Sequence, residues 1–342
     1  MKVLNSIKIL SLLTITLLIA SCSDDDNSGN QIESSTILYA SNNSNGNITY
    51  YDVTDLSNIS TTTLITTSTA ADGVYYEGAL DAVIQASRSG LGLEGFTNIS
   101  NAISGAAINA DLIGTTDMSS PREVAVDGAF YVVADNQDVD GNPSTLDGRL
   151  FVYIRNGNNF SLRNVITTDF KLWGITFINN DLYAVVDADN ELAVFTNFLS
   201  NTTNTTLSAS KRVVVEGIVR THGLTYDAMS DTMVMTDIGS AMNTQDDGGF
   251  QIITNFISKF NGTTNNGTLA LSQQTRVSGA STLLGNPVDV AYDSETSTVF
   301  IAEAGNGGGR ILAFNSIGAG GNISPIINTA LGAASSVYLS KQ

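Results

Sequence analysis

The chain has 342 residues and carries 15 Lys and Arg against 33 Asp and Glu, a formal charge of -18 at pH 7. A field of that sign repels phosphate backbones and anionic membrane surfaces, which excludes a nucleic-acid role and favours cations as small partners. The single cysteine, Cys22, excludes an intramolecular disulfide, so a stable body must come from apolar burial and sheet closure.

At the N-terminus, Lys2 and Lys8 flank the start of an apolar run from Ile9 to Ala20, which ends at the small pair Ser21-Cys22. A basic start, an apolar core and a small-residue cut site predict a secretory signal over residues 1–21; the run is too short to span a bilayer. Ile19-Ala20-Ser21-Cys22 resembles the lipobox of bacterial lipoproteins, and the resemblance implies cleavage before Cys22 and lipidation of its thiol. Cleavage removes two lysines and no acid, leaving 13 basic and 33 acidic residues, a net -20. Residues 22–34 then read as the lipidated cysteine and a tether, since Ser23-Asp24-Asp25-Asp26-Asn27-Ser28-Gly29-Asn30 is too polar to bury anything. This stretch is similar to the acidic tag behind the lipid cysteine in surface lipoproteins of the Bacteroidetes. The likeness implies a cell-envelope protein of the outer membrane, exposed at the surface and touching the membrane only through its lipid. A solvated linker with no address is the alternative reading.

From residue 35 to 342 no long segment has helical spacing. Short runs rich in Val, Ile, Tyr, Phe and Thr alternate with Asn, Gly, Asp and Ser clusters, the pattern of strands and turns. A unit recurs: a strand, a turn, a second strand ending in an acidic or small polar residue, a Gly/Asn-rich loop, and a third strand. Copies start near residues 72, 121, 173, 222 and 287. Their equivalent apolar residues, Val74, Val124, Ile175, Leu224 and Val290, are 50, 51, 49 and 66 residues apart, where a four-stranded blade needs roughly 40 to 50. Polar insertions at 240–249 and 261–268, expected as loops, account for the long interval. A sixth unit is split: 36–41, 47–52 and 61–67 supply its later strands, and 335–340 its first, with Val337 lying 47 residues beyond Val290. The predicted fold is therefore all-β, a six-bladed β-propeller of four-stranded antiparallel blades, closed by the C-terminal strand joining the N-terminal blade, which removes open sheet edges. Neither a β-sandwich nor a parallel β-helix explains the split unit.

Val132-Val133-Ala134-Asp135 with Gly148-Arg149-Leu150-Phe151-Val152-Tyr153, and Phe300-Ile301-Ala302-Glu303 with Gly309-Arg310-Ile311-Leu312-Ala313-Phe314, resemble half of the NHL-type repeat. The resemblance spans nearly the whole mature chain and implies the propeller rather than an activity, because propellers host binding modules, scaffolds and enzymes alike.

Strand reversal puts the start of each first strand and each loop between second and third strands on one end. Asp72, Arg122, Glu123, Trp173, His222 and Asp289 should border a central channel there. The chain's only Trp and only His each stand directly before a Gly in neighbouring units, so Arg122, Glu123, Trp173, His222 and Asp289 are the candidate ligand-binding set. The alternative is that Trp173 packs under a loop while His222 bonds to backbone. Ser41, Ser87, Asp135, Asp187, Asp237 and Glu303 close the second strands; an acid repeated at a turn points to acceptance of backbone N–H groups rather than to catalysis. In the loop 136–147, Asn136, Asp138, Asp140, Asn142 and Asp147 have the spacing of an EF-hand-type calcium loop, with Gly141 at the sharp turn. Asn136 and Asp147 replace the usual Asp and Glu, Pro143 lacks an N–H, and the flanks are strands. Calcium binding and a metal-free flexible loop both fit.

No G-x-S-x-G elbow or phosphate-cradling loop occurs, and any triad must run through His222. The leading expectation is a non-enzymatic envelope binding module for a glycan, peptide or protein partner, with no cofactor required. The rival is a calcium-dependent hydrolase or lactonase using Glu123 and Asp289 as ligands and His222 as proton shuttle. A structural envelope assembly protein is the third reading.

Overall fold

The computed structural model describes residues 35–142 and 144–342; the predicted signal, Cys22 and the tether lie outside the described residues, as does Pro143. The body is nearly all strand, arranged in four-stranded antiparallel sets. Each set follows one order. Taking the last in the chain as the pattern, Pro287–Asp293 pairs with Thr298–Glu303, which pairs with Arg310–Phe314, which pairs with Ile327–Ala330. We number the sets I to VI and name the first member of each its lead strand. The lead strands are Ala334–Lys341 (I), Ala71–Glu77 (II), Pro121–Asp127 (III), Leu172–Ile178 (IV), Leu224–Asp227 (V) and Pro287–Asp293 (VI).

Set I is assembled from both ends of the described chain: Thr36–Asn42 pairs with Ile48–Asp52 on one side and with Ala334–Lys341 on the other, Leu38 opposite Leu339 and Ala40 opposite Val337. The split sequence unit implies this pairing of the two segments. A residue pointing the wrong way would expose a whole apolar face, so the alternation pins the pairing.

Second strands such as Phe130–Asp135 and Thr298–Glu303 are buried at almost every position, because both of their faces are covered by neighbouring sets. Val132 and Ala134 pack toward Ile175 and Leu182 of set IV, while Tyr131 and Val133 pack toward Ile84 and Leu93 of set II. Between sets VI and I, Phe300 and Ala302 meet Leu38 and Ala40. Between I and II, Tyr39 meets Tyr76 in a stack with ring centroids 4.5 Å apart. The apolar core thus lies between sheets rather than in one central mass.

Two departures from the sequence reading concern the insertion before set VI. Part of the stretch expected as loop at 261–268 is ordered: a helix, Phe256–Gly262, buries Phe256 and Phe260 at i, i+4 spacing, and Gly267–Leu269 adds in parallel to Lys211–Val215. That addition covers the outer edge of set IV. Thr205–Leu207 does the same for Asn159–Thr168 of set III, and the single pair Ile113/Asn159 joins sets II and III. Edge strands are shielded in this way from further pairing. Among the described residues no helix is long and apolar enough to cross a membrane.

Candidate functional site

Four of the lead strands begin with a common irregularity. Register slips between Ala71 and Val74, Pro121 and Val124, Leu172 and Ile175, and Pro287 and Asp289. A bulge takes residues out of the ladder and re-aims their side chains; Asp72, Arg122, Glu123 and Trp173 occupy these slips. Adjacent lead strands also approach backbone to backbone. A Cβ on Gly174 would lie 2.5 Å from the His222 carbonyl oxygen, and one on Gly223 2.5 Å from Asp289 Cα, so only glycine fits beside Trp173 and His222.

Trp173 and His222 meet face to face, with ring centroids 3.7 Å apart and planes 6° from parallel. On Trp173 rests the Arg122 guanidinium, 3.9 Å from the ring centre. Arg122 Nη1 donates to Asp72 Oδ2 at 2.8 Å, and Asn43 donates to Asp72 Oδ1 at 2.5 Å. At the other end of the row His222 Nε2 lies 3.2 Å from Asp187 Oδ1, which also accepts from Arg220 at 2.9 and 2.6 Å, while Asn136 donates to Oδ2 at 2.7 Å. Burial pushes the imidazole below its ordinary value, against the pull of Asp187. Burial alone would raise Asp187, but the hydrogen bonds from His222 and Asn136 and the Arg220 charge outweigh it and hold the carboxyl below its usual range. The row Asp72, Arg122, Trp173, His222, Asp187, Arg220 crosses sets II to V and satisfies most of its own polar groups; His222 Nδ1 and Arg122 Nε are left without partners. Arg220 and Asn43 escaped the sequence reading. Arg220 stands two residues before His222, and nothing in its spacing marks it.

Glu123 and Asp289, from lead strands III and VI, line one axial cavity of about 310 Å³ together with Val124, Ile175, Phe177, Leu224 and Val290. Arg122, Trp173 and His222 do not border that cavity. Asp289 Oδ2 accepts from Ser336 Oγ at 2.7 Å and Val337 N at 2.8 Å; Glu123 Oε1 accepts from Val124 N at 2.9 Å, and its Oε2 is 3.5 Å from the same Ser336 Oγ. Burial, and for Glu123 also the nearby Asp289 charge, pushes both carboxyls up, Asp289 to about 7 and Glu123 well above its ordinary value. Ser336, absent from the predicted set, is the equivalent residue of lead strand I.

The second-strand row behaves differently. Glu303 accepts backbone N–H bonds from Gly285, Asn286, Gly305 and Asn306 at 2.8–3.0 Å. Asp237 Oδ1 accepts from Val219, Arg220 and Gly239 at 3.0 Å. Asp135 receives Ser119 and Ser120 N–H groups and the Arg149 guanidinium. Ser87 Oγ accepts from Gly90 N, and Ser41 Oγ donates to the Asp72 carbonyl. Glu303, Asp237 and Asp135 thus each fasten the segment leading into their set's own lead strand, not only the loop that follows the acid.

In the loop 136–147, carboxylate oxygens of Asp138, Asp140 and Asp147 lie within 4.8 Å of one another. They also accept local N–H groups: Gly141 on Asp138, Asn142 on Asp140 and Val139 on Asp147. Asn136 turns its amide to Asp187 instead, and Asn142 Oδ1 accepts from Ser144 N. The three acids form an oxygen set suited to a hard cation.

The fold defined by these sheets is propeller-like. No protein-family model and no curated protein matches the chain. Among solved structures, a chain of the nidogen/laminin complex is similar at a TM-score of 0.57 and 13% identity, over 89% of this chain and 98% of that one. A candidate 6-phosphogluconolactonase from Bacteroides uniformis is similar at a TM-score of 0.52 and 10% identity, over 90% of this chain and 85% of that one. At such identities the likeness speaks for the fold alone.

Proposed function

We propose that the protein is a lipid-anchored binding module of the cell envelope: a six-bladed β-propeller, NHL-like in its repeats, that presents its loop end to a protein partner. The ring reading is supported by contacts of each lead strand with the next, and of Ala334–Lys341 with both Ala71–Glu77 and Pro287–Asp293. The anchor and the envelope location rest on the signal-like residues 1–21 and Cys22. One observation carries the binding role. The loop-end side chains best suited to catalysis are committed to one another, His222 to Asp187 and Trp173, and Arg122 to Asp72. The loop end exposes five large apolar side chains, Leu91, Val139, Leu146, Val219 and Met242, among its polar loops, Met242 at 94%. These side chains favour a protein or peptide over a glycan. Nidogen/laminin, a complex, shows that a chain of similar fold serves in protein assembly.

A photo-crosslinking residue at Met242, on the loop end, should capture an envelope protein in intact cells. The same residue at Met229, exposed in the hairpin of set V at the other end, should not. Equal capture from both sites overturns the loop-end reading, and substrate turnover by the purified chain that is lost on His222→Ala overturns the binding role.

A second reading, a calcium-dependent hydrolase or lactonase, is favoured by one observation, the shared cavity of Glu123 and Asp289. Elemental analysis with thermal shifts in calcium and EDTA separates the two. A channel metal is retained stoichiometrically and its activity falls with Glu123→Gln, whereas the binding module needs neither.

A further inference from the structure

The axial cavity holds a buried carboxylate, Asp289, and a half-buried one, Glu123, that lack a cationic partner. Among the described residues no Lys, Arg or His comes within ion-pair distance of Glu123 or Asp289, and the arginines near this level, Arg88 and Arg122, are both directed at Asp72. Leaving a charge buried and uncompensated is costly, so the pair calls for a proton or a cation. The wall decides which cation. Three aromatic residues, Tyr75, Phe177 and Tyr338, line it beside the acids and the threonines Thr176 and Thr225, while Val124, Ile175, Leu224 and Val290 border it with side chains buried between the sheets. Carboxylates and aromatic rings lining one cavity match an alkylammonium group, which pairs with the acid and lies against a ring. A volume of about 310 Å³ admits a compact molecule and no polymer.

We propose that this cavity binds a small organic monocation, a primary or quaternary ammonium, held by Asp289 and Glu123 and walled by Phe177, Tyr75 and Tyr338. Its lining shares no residue with the exposed set Leu91, Val139, Leu146, Val219 and Met242, so its occupancy is read separately from docking there.

The test is titration calorimetry of the full chain with tetramethylammonium and ethylammonium chloride, against sodium chloride at equal ionic strength and against calcium chloride. The expected result is a saturable one-to-one isotherm for at least one ammonium and none for sodium, weakened about tenfold or more by Asp289→Asn as a charged contact is lost. Glu123→Gln keeps an oxygen for the Val124 N–H and gives the same readout should Asp289→Asn fold poorly. Phe177→Leu should weaken tetramethylammonium severalfold through loss of the ring. The proposal is overturned if neither ammonium binds saturably, if calcium alone does, or if both acid variants bind as the wild type. None of these outcomes bears on capture through residue 242.

Discussion

Two groups of buried carboxylates sit within a few residues of each other along the same sheets, and they are treated in opposite ways. Glu303, closing a second strand, receives four backbone N–H groups, two from the segment before its lead strand and two from the loop after it. Asp289, in the lead strand of the same set, receives one N–H and one hydroxyl, and faces Glu123 across a cavity. The first arrangement consumes a charge to fasten loops. The second leaves charge over, and leftover buried charge is what a ligand can use.

The sharpest way to break this contrast is to truncate the fastened acid. Glu303→Ala leaves four N–H groups without an acceptor at a fully buried position, at about 1 kcal/mol or more each, so a loss of roughly 3–5 kcal/mol is expected in urea unfolding. A loss below about 1 kcal/mol would mean that the loops hold themselves and that the row is ornamental. His222→Ala comes next. It removes the ring stacked on Trp173 and one donor to Asp187, and should cost about 2–3 kcal/mol, with Asp187 still held by Arg220 and Asn136.

Much of the fastening side was legible beforehand. Val74, Val124, Ile175, Leu224 and Val290 gave the repeat interval, and Val337, 47 residues further on, pointed to the addition of the C-terminal strand to the segment 36–41 that the sheet displays. The acids at the ends of second strands were read as turn acceptors because their recurrence suits a role that recurs. The mutual stacking of Trp173 and His222 was not legible: the spacing put them on neighbouring strands, but whether two rings face a ligand or each other depends on rotamers and on how closely Gly174 and Gly223 let the backbones approach. Ser336 was hidden because a serine carries no signal until Asp289 and Glu123 are seen to share its hydroxyl. One local motif was readable and went unread. Asn98, Asn197 and Asn255, each left-handed and following a Thr at or just after the end of a third strand, are succeeded by Ile99, Phe198 and Phe256, which plug the core. Asn tolerates that conformation better than most residues, which is why it stands there.

The axial pair is tested by pH rather than by truncation. An Asp raised to about 7 in the native state is protonated there while its unfolded counterpart, with a value near 4, has already ionised. Both forms are protonated at low pH, so nothing is lost there; stability falls as pH rises from about 4 to about 7 and stays reduced above. Asp289→Asn removes that part of the dependence, together with what the Asp289 charge adds to Glu123. The depressed His222, whose sign is opposite because a buried neutral imidazole loses stability as pH falls below its unfolded value, is present in both proteins and cancels in the difference. The melting temperature of Asp289→Asn relative to wild type should therefore rise by a few degrees between pH 4.5 and pH 8. A gap that stays constant over that range would show that Asp289 is ionised throughout and already compensated, and the contrast with Glu303 would vanish.

The smallest effect belongs to a third class of carboxylate, neither fastened in the core nor stranded at the axis. Asp138, Asp140 and Asp147 converge in a loop where Asp138 and Asp140 lie at the surface or close to it, and water already solvates much of their charge. A calcium ion there would stabilise the protein only by mass action, about 1.4 kcal/mol at ten times its Kd, so wild type should gain a few degrees in saturating calcium. Asp140 is the residue to change, because its carboxylate holds Asn142 N and Thr145 Oγ1 and stands in the middle of the oxygen set. Asp140→Asn keeps those acceptor contacts but removes the charge, so it should leave the melting temperature without calcium within a degree of wild type and abolish the calcium increment. An increment that survives Asp140→Asn but disappears with Glu123→Gln would move the cation from the loop to the axis, and would replace an organic ammonium there with a metal.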